Sequence, residues 1–430
     1  MIKRPFVSLA KLRIETKQLE LTAPEPREIT PTENVTLLLE SPYDPSGIRD
    51  TVAIGKGETV KTGQKLSLSG DSNTYVVSTV TGTVSSVSSF VGDFGRAYTA
   101  ISIDVSEEEE MDDQFERVAD DPSMEIAESF LAGLPGNPSF KSFSDPDKPI
   151  NTIVVCGVDG DLLLTPNQYA LVSNTDAIKN GINILKKITG VDNVIMAVPR
   201  HLMQEGAATN AEVRAVDAEY PATLPYAIMQ NALGQVVPAG KSFEDIGVCF
   251  LSAEAVASMG TAFNTGRIPF AKMLTLVKKD GSQSLVSAVI GTPIRDIFAA
   301  FDISVNEGDR IIIGGPMTGS SVYSEDYPVQ PDTDGIMVQD KGDISLVSDY
   351  PCINCGECVR TCPVKVPVNM LVRYLEAGQY EDAADQYDLY SCIECGLCSF
   401  VCVSNMPIFQ YIKVAKYELG RMSLAEATNG

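Results

Sequence analysis

Two cysteine runs near the end of the chain share one spacing: Cys352-x2-Cys355-x2-Cys358-x3-Cys362-Pro363 and Cys392-x2-Cys395-x2-Cys398-x3-Cys402-Val403. Each run has the ligand spacing of bacterial ferredoxins, and two such runs in one chain predict two cubane [4Fe–4S] clusters. A tight turn allows three thiolates of one short loop to bind three irons of the same cube. Gly356 and Gly396 stand at equivalent places between the ligands, where the backbone must pass close to sulfide and donate amides to it.

The fourth cysteine of each run begins the next helix and faces away from its own loop, so it ligates the neighbouring cluster. This pattern predicts two mixed ligand sets. The first cluster is held by Cys352, Cys355, Cys358 and Cys402, and the second cluster by Cys392, Cys395, Cys398 and Cys362.

Disulfides and zinc are the alternatives to iron–sulfur clusters. Disulfides need an oxidising compartment, and we expect no secretory signal because charged residues interrupt any apolar segment at the start of the chain. A zinc ribbon uses paired CxxC motifs, but it would leave half of these regularly spaced cysteines without a role. The two remaining cysteines, Cys156 and Cys249, stand at predicted strand ends, and we interpret them as small buried apolar residues.

The composition excludes several other functions. The chain has 430 residues with 33 Lys and Arg against 57 Asp and Glu, which leaves a formal charge of −24 and argues against a nucleic-acid partner. His201 is the only histidine, so sites built from several histidines are excluded, and we interpret His201 itself as a loop residue. No apolar stretch approaches the roughly 20 residues that cross a bilayer, so we expect no transmembrane segment.

The first part of the chain, residues 1–106, is predicted to be rich in β-strands. Two hairpin-like stretches, 57–66 and 75–84, alternate β-branched residues with turn glycines. This layout resembles the lipoyl/biotinyl barrel-sandwich. The tip of the second hairpin, Ser69 to Thr74, has no lysine, so we expect a scaffold and not a swinging-arm carrier.

Residues 107–149 are predicted to be a linker. Seven of the ten positions from Glu107 to Glu116 are acidic, which is typical of a solvated segment. The stretches Gly133–Phe140 and Ser144–Pro149 are rich in proline, glycine and small polar residues and are predicted to be loops.

The rest of the chain is predicted to form three further units, which makes the fold class multidomain α+β. Strands and helices alternate over residues 150–270, including a helix from about Asn167 to Lys187, and this predicts an α/β layer structure with a parallel sheet. A strand–helix–strand pattern in residues 271–345 favours a β-grasp module. Residues 346–430 are predicted to be a helical dicluster ferredoxin domain, because the 29 residues between Cys362 and Cys392 show helical spacing.

Several runs of residues resemble one family, the C subunit of Rnf-type electron transport complexes. They are Cys392 to Pro407, Gln410-Tyr411, Ala415-Lys416-Tyr417-Glu418, Ile313-Gly314-Gly315-Pro316-Met317-Thr318-Gly319, Ile290-Gly291-Thr292-Pro293 and the lipoyl-like hairpins. The similarity follows the chain in order through most of its length. The cluster motif and the Gly-Gly-Pro-Met motif are specific in combination.

The resemblance implies a peripheral subunit at the cytoplasmic face of the cell membrane, docked on membrane subunits of an electron transport complex. It also implies a flavin-binding domain like that of the complex I flavoprotein and a soluble-ligand-binding β-grasp module, in addition to the two clusters. In typical members NADH reduces FMN, and the clusters pass electrons to other subunits and to a soluble ferredoxin-like protein.

The sequence departs from the family at the flavin site. The family loop reads approximately Gly-x-Gly-Gly-Ala-Gly-Phe-Pro-Thr, whereas this chain has Gly133-Leu134-Pro135-Gly136-Asn137-Pro138-Ser139-Phe140. Two prolines remove backbone N–H donors from a loop that cradles phosphate with such donors. The next family motif is replaced by a stretch that keeps two acids, Asp159 and Asp161, which we interpret as a turn at a strand end. We therefore expect FMN and NADH binding to be lost or strongly altered.

Three functions compete on the sequence alone. The first is an electron-transfer subunit that has no NADH dehydrogenase activity of its own. The second is a flavin-dependent NADH or cobalamin-reductase-like enzyme of the same superfamily, and the third is a non-catalytic docking adaptor. The intact cysteine runs and the altered flavin loop favour the first. Acidic residues around the cysteines predict low cluster potentials; they are Glu357, Glu376, Glu381, Asp382, Asp385, Asp388 and Glu394.

Overall fold

The computed structural model describes residues 14–20, 25–40, 55–67, 74–92, 95–348 and 350–429, with side chains described as far as residue 423. Three larger β-sheets and a two-stranded sheet are followed by a group of helices that carries the two cysteine runs. The coarse prediction of a mixed α and β molecule with several units is confirmed.

The strands, in chain order, are β1 (Arg27–Ile29), β2 (Asn34–Glu40), β3 (Thr59–Val60), β4 (Lys65–Ser67), β5 (Tyr75–Val77), β6 (Gly82–Val91), β7 (Ala97–Val105), β8 (Thr152–Cys156), β9 (Val194–Pro199), β10 (Glu212–Val216), β11 (Val248–Ser252), β12 (Ala271–Val277), β13 (Gln283–Val289), β14 (Arg310–Ile313), β15 (Ser320–Val322) and β16 (Gly335–Gln339). The α-helices are α1 (Met124–Phe130), α2 (Pro166–Ser173), α3 (Thr175–Thr189), α4 (Met203–Ala208), α5 (Pro225–Asn231), α6 (Ala253–Thr265), α7 (Ile294–Ala300), α8 (Glu357–Thr361), α9 (Val368–Glu376), α10 (Tyr380–Tyr387), α11 (Leu397–Phe400) and α12 (Ile408–Asn429).

The first β unit consists of an antiparallel sheet in the order β2-β7-β6-β3 and the separate pair β4-β5. Side chains of β2 alternate between core and surface, and Val35, Leu37 and Leu39 are the buried ones. The two predicted hairpin stretches pair with each other, β3 with β6 and β4 with β5. The predicted hairpin tip at Ser69 to Thr74 lies almost entirely outside the described residues, which resume at Thr74.

The α/β unit contains a parallel sheet in the order β10-β9-β8-β11. Nearly every residue of β8 and β9 is buried, as in parallel sheets with helices on both faces. The single helix predicted from about residue 167 to 187 is wrong, because the non-helical backbone of Asn174 separates α2 from α3. Helix α3 packs closely on α6, where a Cβ on Gly260 would lie 2.0 Å from the carbonyl oxygen of Ala177.

The third unit is a six-stranded mixed sheet in the order β1-β13-β12-β16-β14-β15. Helix α7 covers one face, and Ile294, Ile297 and Phe298 join the apolar core there. Strand β1 pairs in parallel with β13, although it precedes the first β unit in the chain. The strands of the predicted region 1–106 are therefore divided among three sheets, the six-stranded sheet and the two of the first β unit.

The segment predicted to be an acidic linker begins exposed to solvent and then packs against the α/β unit. Glu107 to Glu110 are exposed, but Phe115 is buried and its ring centroid lies 5.5 Å from that of Phe263 in α6. Helix α1 follows, with Ser123 as its N-cap.

The carboxyl-terminal unit is helical, as its spacing predicted. Helices α9 and α10 lie in the stretch between Cys362 and Cys392 and share an apolar core with α12. Over the part of the chain that the structure describes, none of the helices is both long and apolar enough to cross a bilayer.

Candidate metal centre

The two cysteine loops have the same backbone conformation. We call residues 352–358 the first cysteine loop and residues 392–398 the second. Asn354 and Glu394, two residues after the first cysteine of each loop, have φ of 57° and 53°, and Gly356 and Gly396 have φ of 76° and 71°. These left-handed residues turn each loop sharply into a short helix, α8 or α11. Repetition of this uncommon geometry indicates that both loops have the same role.

Backbone amides of each loop point at its sulfurs. The N–H of Asn354 donates to Sγ of Cys352, and the N–H of Glu394 donates to Sγ of Cys392, both at 3.4 Å. Amide donors of this kind stabilise negative charge on a ligating thiolate. The left-handed turn at the third residue of each loop brings the amide into place.

The structure brings all eight cysteines together in two neighbouring groups. Cys358 lies within electrostatic range of Cys352, Cys355 and Cys402. Cys395 lies within range of Cys392 and Cys362, and Cys398 within range of Cys392, Cys395 and Cys358. This proximity agrees with the two predicted ligand sets, whose assignment stays a prediction.

The environment of the sulfurs fits a group that carries positive charge. Burial raises the pKa of Cys358 to about 11 and that of Cys395 to about 12. Free thiols here are therefore protonated near neutral pH, whereas a metal ligand must be a thiolate, which bound iron stabilises. Buried sulfurs, amide donors and sharp turns together fit an iron–sulfur cluster at each loop.

Single-ion sites are a separate question. Among the residues with described positions, no group of three or more His, Cys, Asp or Glu side chains lies close enough to hold one metal ion. A cubane holds its thiolates outside a cage of irons and sulfides, further apart than the ligands of one ion, so this finding concerns single-ion sites alone.

The second cysteine loop docks on the turn that follows β14. A Cβ on Gly396 would lie 2.4 Å from the carbonyl oxygen of Met317, so glycine is required both by its positive φ and by this contact. The hydroxyl of Tyr220 donates to the carbonyl oxygen of Cys395 at 2.8 Å. An apolar cluster that includes Leu397 surrounds this junction.

Asp161 ties the α/β unit to the same turn. Its carboxylate accepts hydrogen bonds from the N–H groups of Leu162, Met317 and Thr318 and from the Thr318 hydroxyl, at 2.6–3.2 Å. Burial raises the pKa of Asp161, while these donors lower it. The position after a strand agrees with our interpretation as a strand-end turn, but the contacts with residues 156 positions away could not be read from the sequence.

Asp159 is also buried and structural. Its carboxylate accepts from the N–H of Asn167 at 2.9 Å and from the side-chain amide of Gln168 at 3.0 Å. Burial raises its pKa to about 6. The bonds connect the end of β8 to the start of α2.

A buried ion pair joins α6 to the six-stranded sheet, and sequence reasoning missed it. Nζ of the fully buried Lys272 lies 2.5 Å from Glu254 and 2.7 Å from Asp334. Burial alone lowers the pKa of Lys272, but these two carboxylates raise it above its ordinary value. The sequence around Lys272, at the start of β12, gives no signal of burial, because its partners Glu254 and Asp334 come from distant segments.

Three backbone amides of the loop that replaces the family's glycine-rich motif already have carbonyl partners. The N–H groups of Leu134, Gly136 and Asn137 donate to the carbonyl oxygens of Leu131, Pro331 and Leu134. Pro135 and Pro138 have no N–H to donate. Gly136, with φ of 87°, packs against the first turn of α6. These positions thus present no free cradle of amides to a phosphate.

A large cleft of about 2240 Å³ lies where the first β unit, the six-stranded sheet and α12 meet. Its walls carry both signs of charge: Arg96, Lys141 and Lys416 on one hand, and Asp161 and Asp334 on the other.

The other candidates lie away from the cysteine loops. His201 is exposed in a short 3-10 helix, Arg200–Leu202, as expected of a loop residue. Cys156 and Cys249 lie in β8 and β11, where burial raises the pKa of each to about 12. Both are therefore inert thiols of the α/β unit.

The repeated loops and the short helices that follow them are those of an iron–sulfur protein. Residues 344–403 match the family model described as a 4Fe-4S dicluster domain.

The individual relatives are C subunits of ion-translocating complexes. The C subunit of the proton-translocating ferredoxin:NAD(+) oxidoreductase complex of Clostridium ljungdahlii is 28% identical over 308 residues, 68% of this chain and 66% of the relative. The C subunit of the Na(+)-translocating ferredoxin:NAD(+) oxidoreductase complex of Acetobacterium woodii is 25% identical over 246 residues, 55% of each chain. The C subunit of the ion-translocating oxidoreductase complex of Methanosarcina acetivorans is 24% identical over 378 residues, 80% of this chain and 83% of the relative.

These matches confirm the resemblance to the C subunit of Rnf-type complexes. The chain spans 66% and 55% of the lengths of the first two of these relatives. Among solved structures, a chain of an NAD+-reducing [NiFe]-hydrogenase in the H2-reduced state has 14% identity and a TM-score of 0.45, and the match covers 71% of this chain and 62% of that one.

Proposed function

We propose that this chain is an iron–sulfur electron-transfer subunit of a membrane-associated, Rnf-like redox complex. The observation that carries the proposal is the pair of identical cysteine loops whose sulfurs lie in two adjacent groups. When bound, two [4Fe–4S] clusters accept and release single electrons. The chain relays electrons between a soluble donor or acceptor and the membrane subunits.

The residues of the chain hold and separate the two clusters. The first set is Cys352, Cys355, Cys358 and Cys402, and the second is Cys392, Cys395, Cys398 and Cys362. Helices α8 and α11 pack on each other, which supports adjacent clusters and exchange of the fourth ligand. The backbone N–H groups of Asn354 and Glu394 stabilise negative charge on the sulfurs of Cys352 and Cys392, the first cysteine of each loop.

We propose that FMN and NADH binding are lost or strongly altered in this chain. Support comes from the loop around Gly136, where Pro135 and Pro138 lack an N–H and the N–H groups of Leu134, Gly136 and Asn137 already donate to carbonyl oxygens. The two acids of the altered second motif also have structural partners, since Asp159 binds α2 and Asp161 binds the turn after β14.

We propose five regions with the bounds predicted from the sequence, except that β1 (Arg27–Ile29), within residues 1–106, joins the six-stranded sheet through β13. These are a lipoyl-like barrel-sandwich region (1–106), a linker with the altered loop (107–149), a complex-I-flavoprotein-like α/β domain (150–270), a β-grasp module (271–345) and the dicluster ferredoxin domain (346–430). The pairings β3 with β6 and β4 with β5 support the first assignment, and the parallel sheet supports the third.

The partners are membrane subunits and a soluble ferredoxin-like protein, with the chain attached peripherally at the cytoplasmic face. Exposed apolar side chains lie in the sequence beside the cysteines assigned to the first cluster, Cys352 and Cys402; they are Leu346, Val347, Tyr350, Ile353, Phe400 and Val403. The N–H of Ser348 donates to the carbonyl oxygen of Asn405, which places the two segments side by side. Such clustering of exposed apolar residues is typical of a surface that contacts another protein.

Iron, sulfide and flavin counts on anaerobically purified protein test the proposal. We expect about eight irons per chain, no flavin, two sets of EPR signals after dithionite and none after NADH alone. Cys156→Ser is the matched control and is expected to leave the iron count unchanged, because Cys156 lies in the α/β sheet.

Two results contradict the proposal in different ways. Stoichiometric FMN with NADH-dependent cluster reduction would establish the flavin enzyme of the same superfamily. Clusters that cannot be reduced, or bound zinc in place of iron, would leave the docking adaptor as the function.

A further inference from the structure

The two cluster-binding halves are an internal repeat with an offset of 40 residues, since Cys392 follows Cys352 by 392 − 352 positions. The repeat extends beyond the cysteines into the helices that follow them. Pro367 precedes α9, and its counterpart Pro407 precedes α12. The backbone geometry around the two cluster sites is therefore similar, and we look to side chains for differences in the electrostatic environment of the two clusters.

One pair of equivalent positions reverses its charge. Glu376 is the last residue of α9, and the residue 40 positions later is Lys416 in α12. Glu376 is exposed, and no hydrogen bond of the described residues joins it to the first cysteine loop. Lys416 reaches the second loop, so the repeat is asymmetric at this point.

Lys416 contacts the second cysteine loop directly. Its Nζ donates to the carbonyl oxygen of Cys392 at 2.6 Å and to Oε1 of Glu394 at 2.8 Å. The side chain of Lys416 is 21% exposed and that of Glu394 is 40% exposed. The ammonium is therefore fixed against the backbone of a ligand residue, and its charge is screened less by solvent than that of its partner.

Lys416 places a positive charge against the ligand residue Cys392, because its Nζ donates to the carbonyl oxygen of Cys392 at 2.6 Å. A cation this close to a cluster ligand favours the additional negative charge of a reduced cluster. Removal of Lys416 also leaves the carboxylate of Glu394 without its partner beside the loop, which changes the potential in the same direction.

We propose that Lys416 is a positioning residue that pins the second cysteine loop and raises the reduction potential of the second cluster. This inference rests on the proposed function, because it needs clusters at both loops. At the first loop Glu376 stands at the equivalent position. The cation there is Arg360, which donates to the carbonyl oxygen of Cys355 at 3.1 Å and pairs with Glu357; its side chain is 41% exposed, against 21% for Lys416. Lys416 therefore acts on the second cluster from a more buried position, where its charge is screened less.

EPR-monitored redox titration of the anaerobically purified full chain tests the assignment. In Lys416→Met, the ratio of reduced to oxidised second cluster at a fixed potential is expected to fall about three- to tenfold, where tenfold corresponds to about 59 mV for one electron. Lys416→Arg is expected to restore the wild-type value, since it keeps the charge. Glu376→Gln is the matched control and is expected to leave the second cluster unchanged. The signal that disappears in Cys362→Ser identifies the second cluster.

Lys416→Gln separates charge from positioning. It retains a donor for the Cys392 carbonyl, so the loop and its iron are expected to be kept while the potential still falls. If Lys416→Met loses its cluster, this variant provides the titration. An unchanged potential in Lys416→Gln, or an equal shift of both clusters, would overturn the role of Lys416. Absence of both cluster signals from the wild type would overturn the proposed function as well.

Discussion

Asp159 makes the stability of the chain depend on pH. Its pKa is raised by burial to about 6 from an ordinary value of about 4, so the folded state favours the protonated carboxyl. This group therefore stabilises the fold fully below about pH 4, and the contribution is lost as the pH rises through about 6. A shift of about two pKa units corresponds to about 3 kcal/mol at most.

The test compares Asp159→Asn with the wild type in urea unfolding at several pH values. We expect the free energy of unfolding of the variant, relative to that of the wild type, to increase by about 1–3 kcal/mol between about pH 4 and pH 6. Above that range the difference should stay constant. The amide cannot ionise, and its oxygen can still accept from the N–H of Asn167. A difference that does not change with pH would contradict a raised pKa at this position.

Cys402 decides whether the fourth ligands are exchanged between the loops. It follows Cys352 by 50 positions in the chain, yet both lie within electrostatic range of Cys358. We expect Cys402→Ser and Cys352→Ser to lose the same EPR signal and about four irons. Cys249→Ser serves as the control, because Cys249 is buried in β11. If Cys402→Ser instead removed the signal lost in Cys392→Ser, each loop would supply all four of its own ligands.

At the scale of the element, the second cysteine loop is held by its contact with the turn after β14, and the first loop has no equivalent contact among the described residues. Gly356 and Gly396 form a matched pair for testing this difference. Their φ values are 76° and 71°, so alanine is strained equally at both. A Cβ at Gly396 would meet the Met317 carbonyl at 2.4 Å, whereas at Gly356 the nearest atom is the flexible Arg360 guanidinium at 3.3 Å.

We therefore expect Gly396→Ala to be the more damaging of the two substitutions. Gly356→Ala should cost about 1–2 kcal/mol from backbone strain, and Gly396→Ala about 1–3 kcal/mol more from the clash with the β14 turn. Thermal unfolding and the iron content of both variants measure the difference. Equal losses would show that the docking of the second loop contributes nothing beyond local geometry.

Elements that local sequence patterns define can be predicted, and those that depend on distant partners cannot. The α6 helix and the buried strand at β9 follow from spacing alone. The prediction misses the break at Asn174, although the polar run Ser173-Asn174-Thr175-Asp176 carries residues that favour helix N-termini, because it treats the apolar residues on either side as one helix. The parallel pairing of β1 with β13 also escapes prediction, because a three-residue strand has no pattern of its own and its partner residues, such as Val286 for Arg27, are far along the chain.

The candidate site shows the same division. All eight cysteines follow from their spacing, because a cluster imposes ligand positions on a single loop. The sequence predicts only a turn residue at Asp161, while in the structure this residue joins two units through the N–H groups of Met317 and Thr318. Lys416 stands out in the sequence through the family resemblance alone, because its contact with Cys392 depends on how α12 packs.

At the scale of the whole molecule, the two cysteine loops occupy different environments. The second loop is enclosed: the carbonyl oxygen of Cys395 accepts a hydrogen bond from the Tyr220 hydroxyl, and Gly396 packs against the carbonyl group of Met317. The first loop carries exposed apolar residues, including Ile353, which is 66% exposed. On the proposed function, the exposed first loop is therefore the end of the relay that faces a partner protein.

The charge of the whole chain acts on both ends of this relay. The formal charge is −24, and reduction adds a further negative charge within this field, so the field lowers both cluster potentials. Added salt screens the field, because the Debye length falls from about 30 Å at 0.01 M to about 3 Å at 1 M. We therefore expect both midpoint potentials to rise with ionic strength in EPR-monitored titrations. The shift between wild type and Lys416→Met should largely persist, since Lys416 contacts the loop directly. Potentials that stay constant or fall with added salt would mean that local contacts, and not the overall charge, set them.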